Sequence, residues 1–263
     1  MSYCPVRVSS HAGSWYSSDD IQLSLQLENW LESCEVTVPD LCSIRALIVP
    51  HAGYRHSGLC AAHAYRQIRA EKVERIFIIG PSHHLDIGDT CALTCALEYE
   101  TPFYNLKIDI DSDILNKKQD EAEHSVEMQL PYIAHIMKSR KDQYSIVPIV
   151  VGYFCHWGKR FRYQYYNKSD GEIWQSITKM DHFGLDAIQS LEPTKFVDYL
   201  KEYNNTICGR RGIGILLYMV AAIRQRKSPN MQLKILHYTQ SNRCQSIEDS
   251  SVSYAACALI DKN

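Results

Sequence analysis

The chain of 263 residues lacks the long hydrophobic runs that mark membrane-spanning segments. Its longest apolar run, Ile213 to Ile223, is shorter than the roughly 20 residues that a spanning helix needs, and it contains Gly214. The N-terminal stretch MSYCPVRVSS has no apolar core like that of a signal peptide. We therefore expect a protein without membrane insertion whose location is the cytoplasm, with the nucleus as a second location.

The sequence also has little excess charge, since the net charge is −2 and the isoelectric point is about 6.6. This balance predicts no nucleic-acid partner, because domains that bind nucleic acid carry a strongly basic surface. The ten cysteines are scattered, without the close pairs of a zinc finger or a disulfide framework. Their spacing indicates a reducing compartment, in which the glycosylation sequons at Asn167 and Asn204 are unused.

The patterns that are present indicate one α/β domain. Hydrophobic residues make up 45% and charged residues 22% of a chain long enough to bury a sizeable core. Apolar runs predict strands over 46–49, 75–80, 90–97, 144–152, 234–239 and 252–260. Amphipathic or apolar helical patterns predict helices over 21–33, 58–70, 124–138, 171–191, 193–203 and 213–224.

The most informative stretch contains a strand followed at once by a histidine. The apolar run 46–49 suits a strand covered on both faces, Pro50 ends it, and His51 comes next. The run 75–80 is followed by His83 in the same way, and a helix is predicted between the two strands. Ligands bind at the carboxyl edge of open α/β sheets, so we expect the two imidazoles to meet there if the strands are neighbours.

A metal site would need a third ligand, and Cys208 is the best candidate in the sequence. It stands in a glycine-rich loop before a predicted buried helix, and the helix N-terminus together with Arg210 and Arg211 favours its thiolate. Two imidazoles and a thiolate suit Fe(II), Cu or Zn and disfavour Mg or Ca. The alternative is a buried cysteine and two turn histidines that share no role.

Further side chains are candidates for the same pocket. Tyr54 follows His51 closely enough to line it, and Trp15 either forms an aromatic wall or is an ordinary core tryptophan. Arg162 belongs to a basic and aromatic stretch that either holds an anion such as phosphate or forms a solvated face. Three histidines are also candidates: His84, His124 and His156. Three more are predicted at the surface or in the core: His56, His63 and His182.

Several ordered motifs together resemble the Memo family, and the likeness covers nearly the whole chain. They are HAGSWY at 11–16, PHAGY at 50–54, GPSHH at 80–84, EHSVEMQLPY at 123–132, FCHWGKRFRY at 154–163, NTICGR at 205–210 and DSSVSYAA at 249–256. The resemblance implies a single domain with a central, largely parallel or mixed sheet and helices on both faces, similar to class III extradiol dioxygenases.

The resemblance also implies a function in signalling from receptor tyrosine kinases to the cytoskeleton and cell migration. It assigns His51, His83 and Cys208 as ligands of one Cu or Fe ion, with Trp15 and Tyr54 in the same cleft and His156 as a further pocket residue. The expected partner is a phosphotyrosine-containing receptor segment or a signalling adaptor. Dioxygenase activity is not implied, because those enzymes use a carboxylate where this chain has cysteine. A non-haem redox enzyme is the alternative.

The chain departs from the family pattern in two places. It is shortened near 108–123, and at 152–154 a helix and a strand of the family are missing. Because a parallel crossover needs a dozen or more residues, no strand–helix–strand unit fits at 152–154. Either the strand 144–152 takes the vacant place in the sheet or the sheet has a gap. A truncated chain with little function is therefore a third possibility.

Overall fold

A computed structural model describes residues 4–85, 87, 90–109, 115–151, 157–227 and 229–262. The predicted pocket residue His156 and the predicted junction at 152–154 lie outside these residues. The chain divides into two compact units, each made of two segments. Unit 1 comprises Met1–Glu35 and Pro50–Tyr153, and unit 2 comprises Val36–Val49 and Phe154–Asn263. Among the described helices, none has both the length and the apolar character needed to cross a membrane.

The elements follow the chain in an α/β order. Unit 1 contains β1 (Cys4–Arg7), α1 (Asp20–Glu32), α2 (Tyr54–Tyr65), β3 (Arg75–Pro81), β4 (Cys91–Leu93), β5 (Ala96–Tyr99), β6 (Leu106–Lys107), α3 (Lys117–Ala122), α4 (His124–Glu127), α5 (Leu130–Ile136) and β7 (Ser145–Val151). Unit 2 contains β2 (Ser43–Ile48), α6 (Ile173–Gln189), α7 (Pro193–Tyr203), α8 (Arg210–Arg226), β8 (Met231–Gln240) and β9 (Ser253–Asp261).

The described strands form three three-stranded sheets, in place of the one central sheet that was expected. In unit 1, β1 pairs parallel with β5, which pairs antiparallel with β6. The second sheet of unit 1 has β7 in the middle, parallel to β3 and antiparallel to β4. In unit 2, β9 lies between β2 and β8 and is antiparallel to both. The α/β class with mixed strand pairing is thus confirmed.

Helices α1, α2 and α5 of unit 1 pack against one another. Helix α1 begins where the Asp19 carboxylate accepts a hydrogen bond from the backbone N–H of Gln22 at 2.7 Å. Its buried face carries leucines at 23, 27 and 31, a spacing that places them on one side of the helix. The rings of Tyr65 and Tyr132 stack with centroids 4.6 Å apart and join α2 to α5.

The core of unit 2 lies on both faces of β9. Cys257 and Leu259 pack in the cluster formed with α6, α7 and α8. Ala258 and Ile260, which point the other way along the strand, pack against Val38. Both faces are therefore covered, which explains why this strand is continuously apolar from Ala255 to Ile260 although its sheet is antiparallel.

The first two predicted strands pair with different partners. The first strand, β2, pairs antiparallel with β9 in unit 2, whereas β3 pairs with β7 in unit 1. No pairing joins β2 to β3 within the described ranges. An apolar run predicts a strand but not its pairing partner. The run 46–49 was expected to be covered on both faces, whereas the residues of β2 are only partly buried or exposed. The run 90–97 is likewise two short strands, β4 and β5, in different sheets.

The helices begin or break at positions that local chemistry explains. The helix predicted over 124–138 is interrupted after α4, and Pro131 lies in the first turn of α5, where its missing N–H costs nothing. The side chain that caps α4 is Glu123, which accepts a hydrogen bond from the N–H of Ser125 at 2.8 Å. Helix α8 begins at Arg210, earlier than expected, and one side of it is exposed rather than buried.

Two glycines in helix interiors provide a test of the packing. A Cβ at Gly58 would lie 2.3 Å from the Trp30 ring, whereas a Cβ at Gly214 would meet nothing within 4 Å. We expect Gly58→Ala to lower the free energy of unfolding by about 1–3 kcal/mol through overpacking. Gly214→Ala should raise it by up to about 1 kcal/mol through helix propensity. Urea unfolding measures both, and equal effects of the two substitutions would contradict this packing.

Candidate metal centre

Three histidines converge in unit 1. His51, His83 and His124 each offer one ring nitrogen, and these three atoms lie within 4.8 Å of one another. The ring centroids are 5.3 Å apart for His51 and His83, 5.8 Å for His51 and His124, and 4.2 Å for His83 and His124. The predicted meeting of the first two imidazoles is therefore observed, and His124 stands in the third position of this cluster.

Each histidine lies at the end of a regular element. His83 lies two residues after the end of β3 at Pro81, and His124 is the first residue of α4. His51 precedes α2, in a loop closed by a hydrogen bond from the Ser57 hydroxyl to the carbonyl of Ala52 at 2.7 Å. A residue at the end of a helix or strand is positioned by that element. Three different elements therefore position the three rings.

Glu123 fixes the orientation of His83. Its carboxylate accepts hydrogen bonds from the backbone N–H of His83 at 2.6 Å and from the His83 ring Nδ1 at 2.9 Å. Burial alone would raise the pKa of Glu123, but the hydrogen bonds from His83 outweigh it and lower the pKa to about 2. An ionised carboxylate that accepts a hydrogen bond from Nδ1–H leaves the lone pair on Nε2. A hydrogen bond of this kind is the usual support of a metal-bound imidazole.

His124 is held in its neutral form. Burial, together with the neighbouring His83, lowers its pKa to about 4. At neutral pH a metal ion therefore has no proton to displace from this ring.

A second histidine–carboxylate pair lies beside the first. The Glu127 carboxylate accepts hydrogen bonds from the backbone N–H and ring Nδ1 of His11, both at 2.8 Å, and from the Tyr16 hydroxyl at 2.9 Å. Its Oε2 also forms a 2.8 Å ion pair with the Arg7 guanidinium. Burial would raise the pKa of Glu127, but the hydrogen bond from His11 and the charge of Arg7 lower it to about 2. His11 lies with its ring centroid 6.0 Å from that of His124.

Arg7 is the buried cation behind this arrangement, with 1% of its surface exposed. Its Nε donates to the carbonyl of Asp120 at 3.1 Å, and one terminal nitrogen donates to the carbonyl of Glu123 at 2.9 Å. The guanidinium also lies 5.0 Å from the centre of the Tyr99 ring. Arg7 therefore joins β1 to the segment that carries both carboxylates.

Two of the predicted pocket residues lie beside the cluster. The ring of Trp15 is 4.5 Å from that of His124, and 37% of the residue is exposed. His84 is exposed, with its ring 6.2 Å from His124. Tyr54 is placed differently, because it is 4% exposed and its hydroxyl donates to the carbonyl of Met128 at 2.9 Å. Its ring packs within the aromatic core of unit 1.

The remaining predicted site residues belong to unit 2. Cys208 is buried and immediately precedes Gly209, the N-cap of α8, so the expected position before a helix is observed. Its role as a ligand stays a prediction. Arg162 is exposed and has a left-handed backbone with φ of 56°, at the end of a short helical turn.

Sequence reasoning missed the supporting residues of the cluster. Glu123 and Glu127 flank His124 in the EHSVE motif, and a carboxylate adjacent to a histidine was a signal that could have identified them. His11 was visible in the HAGSWY motif. Arg7 gave no signal, because its position in β1 is separated by more than 100 residues from the groups that it contacts.

Fold and site together define an α/β protein with a histidine cluster supported by buried carboxylates. The family model for Memo-like proteins matches residues 7–154 and 152–258. Protein MEMO1 of Mus musculus is 44% identical over 292 aligned positions, which cover 96% of this chain and 97% of the relative. For Protein MEMO1 of Homo sapiens the identity is 43% with the same coverage. The Protein memo-1 homolog of Caenorhabditis elegans is 40% identical over 96% of this chain and 82% of its own length.

The chain therefore belongs to the Memo family.

The depressed pKa of Glu127 predicts how stability depends on pH. Its pKa falls from 4.5 to about 2 on folding, so its ionised form stabilises the fold above pH 4.5, and this contribution is lost as the pH falls towards 2. Glu127→Gln removes it and leaves Arg7 buried without its partner, for an expected loss of about 3–5 kcal/mol at neutral pH.

Urea unfolding at a series of pH values between 2 and 7 measures this effect. The substitution should flatten the decline of stability below pH 4.5. Glu192→Gln, at a residue whose side chain is 51% exposed, is the control and should change stability by less than about 0.5 kcal/mol. An unchanged pH profile in Glu127→Gln would contradict the assigned ion pair.

Proposed function

We propose that this chain is a Memo-type signalling protein that binds one transition-metal ion between His51, His83 and His124. The observation that carries the proposal is the convergence of their three ring nitrogens within 4.8 Å. Cu or Fe is the expected metal, and Zn also suits imidazole ligands, whereas Mg and Ca prefer oxygen ligands.

The residues fit such an ion in charge as well as in position. Glu123 holds the Nδ1 side of the His83 ring by a hydrogen bond, and His124 is neutral at physiological pH. A bound ion would supply Lewis acidity, and a Cu or Fe ion would add redox chemistry. The anionic carboxylate of Glu123 contacts the His83 ring and favours a cation bound to that imidazole.

The proposal includes an alternative third ligand in place of His124: the thiolate of Cys208, which was predicted from the sequence. Its support is the resemblance to the family and the position of Cys208 at the start of α8. A sulfur ligand would shift the preferred metal towards Cu(I), Zn or Fe, since thiolate is softer than imidazole.

The signalling role is the most specific use of the site that family membership supports. We propose that the cleft binds a phosphotyrosine-containing receptor segment or a signalling adaptor and relays receptor tyrosine kinase signals to the cytoskeleton. The exposed ring of Trp15 and the exposed His84 beside the cluster suit a phosphorylated aromatic side chain. Arg162 is a further proposed anion contact.

The likeness to class III extradiol dioxygenases and the internal shortening are also part of the proposal. The family match in two pieces that meet at 152–154 supports a missing segment there. So does an alignment of 292 positions for a chain of 263 residues. The three histidines lie outside both shortened regions, which supports a site that survives in the shorter chain.

Metal content tests the ligands. The purified protein should retain about one equivalent of Cu, Fe or Zn, and His51→Ala, His83→Ala and His124→Ala should each remove most of it, because three ligands are needed for tight binding. Elemental analysis measures this, with His182→Ala as a control that should keep the metal. Equal metal content in all variants would contradict the site.

Loss of metal in Cys208→Ser but not in His124→Ala would assign the third position to sulfur instead. Loss in His124→Ala alone would assign it to the imidazole.

Ligand binding and turnover separate the adaptor from the enzyme. We expect a tyrosine-phosphorylated receptor peptide to bind more tightly than its unphosphorylated form, and Trp15→Ala to weaken binding by about tenfold, the usual cost of removing an aromatic anchor. Isothermal titration measures both affinities. Oxygen consumption by the iron-loaded protein with a catechol, without peptide binding, would favour the redox enzyme. A chain without a cooperative thermal transition would support the truncated, inactive alternative.

A further inference from the structure

Helix α8 is apolar on two opposite sides. Ile213, Leu217 and Val220 are buried in the core of unit 2. The residues on the other side are apolar too, although soluble proteins normally place polar residues there. A helix that is hydrophobic all round is expected to be covered on both sides.

The exposed apolar residues form a continuous stripe. Ile215 is 38% exposed, Tyr218 60%, Met219 53% and Ile223 37%, and Ala222 is exposed as well. Their positions at i, i+3, i+4, i+7 and i+8 place them on one face, over about 12 Å of helix. This is the spacing with which one amphipathic helix packs along another.

Basic residues lie at the ends of the stripe. Arg226 follows Ile223 by three residues, so it continues the same face, and Lys227 lies directly after the end of the helix; both are exposed. Arg211 precedes Ile215 by four residues at the other end. The segment 210–227 contains no Asp or Glu. Cations near a helix C-terminus interact favourably with the helix dipole. That interaction does not account for the apolar residues between the basic ends of the stripe.

We propose that the stripe of Ile215, Tyr218, Met219, Ala222 and Ile223 is a docking surface for a helix of a partner protein. The partner helix has an apolar face of two to three turns with Asp or Glu at both ends. Its apolar side chains cover the stripe, and its carboxylates lie against the basic ends of α8.

The charges disfavour a second copy of this chain as the occupant. An antiparallel pair of α8 helices would bring Arg226 and Lys227 of one copy to Arg211 of the other, and a parallel pair would bring like residues together. They disfavour a membrane surface as well. Interfacial helices carry Lys and Arg along both sides of the apolar face, whereas here the basic residues lie at its ends.

This surface involves none of the residues of the histidine cluster, so its test is independent of the metal site. The probes are two labelled synthetic helices with Leu at heptad a and d positions over their central turns. One carries Glu at both ends and the other carries Lys. Fluorescence anisotropy measures their binding to the full chain.

We expect the Glu-ended helix to bind at least about tenfold more tightly than the Lys-ended one. Met219→Glu should weaken its binding by about tenfold or more, since it places a charge in the centre of the surface. Leu25→Glu is the matched control, because Leu25 is 56% exposed on α1. It should leave binding unchanged. The double substitution Arg226→Glu and Lys227→Glu should reverse the preference between the two probes.

Four results would overturn the proposal: no binding of the Glu-ended helix, equal binding of both probes, an effect of Leu25→Glu as large as that of Met219→Glu, or no change of preference in the double variant. Sedimentation velocity and vesicle flotation test the other occupants. Dimerisation, or binding to phosphatidylserine vesicles, that Met219→Glu abolishes would assign the stripe to self-association or to a membrane and would also overturn it.

Discussion

The histidine cluster depends on a buried ion pair between Arg7 and Glu127. An unpaired guanidinium in the interior would cost several kcal/mol, and so would an unpaired carboxylate, so neither can be lost without the other. Together they hold α4 against β1, and α4 carries His124 between Glu123 and Glu127. One short helix thus supplies an imidazole of the cluster and the carboxylate that orients His11, and its N-cap residue Glu123 supplies the carboxylate that orients His83. The site is preorganised by these charges rather than by the three imidazoles alone.

The sequence predicted two histidines of the cluster, His51 and His83, and missed His124 as the third. His51 and His83 could be found because each follows an apolar run that forms a strand, and that signal is local. Their meeting was expected on the condition that the two strands are neighbours, whereas among the described strands β2 and β3 pair with different partners. His124 was assigned to the pocket but not to the cluster. Its place depends on how α4 packs against β3, and no periodicity in the chain encodes that contact.

The fold shows the same division between local and distant information. Most helices and strands were predicted within a few residues, because hydrophobic spacing is a local signal. The sheet to which each strand belongs was not predicted. The segment 90–97 has one continuous apolar pattern, but its two strands, β4 and β5, lie in different sheets. Helix α8 was expected to be buried because it is apolar on all sides, and the structure leaves one of those sides exposed. Composition reveals that a surface must be covered but not what covers it.

The central claim is that the three imidazoles of unit 1 hold one ion. Anomalous diffraction from crystals of the metal-loaded protein, collected on both sides of the metal absorption edge, tests it most directly. The account predicts a single strong peak in contact with ring nitrogens of His51, His83 and His124. A peak elsewhere, or one that touches only two of these rings, would contradict it.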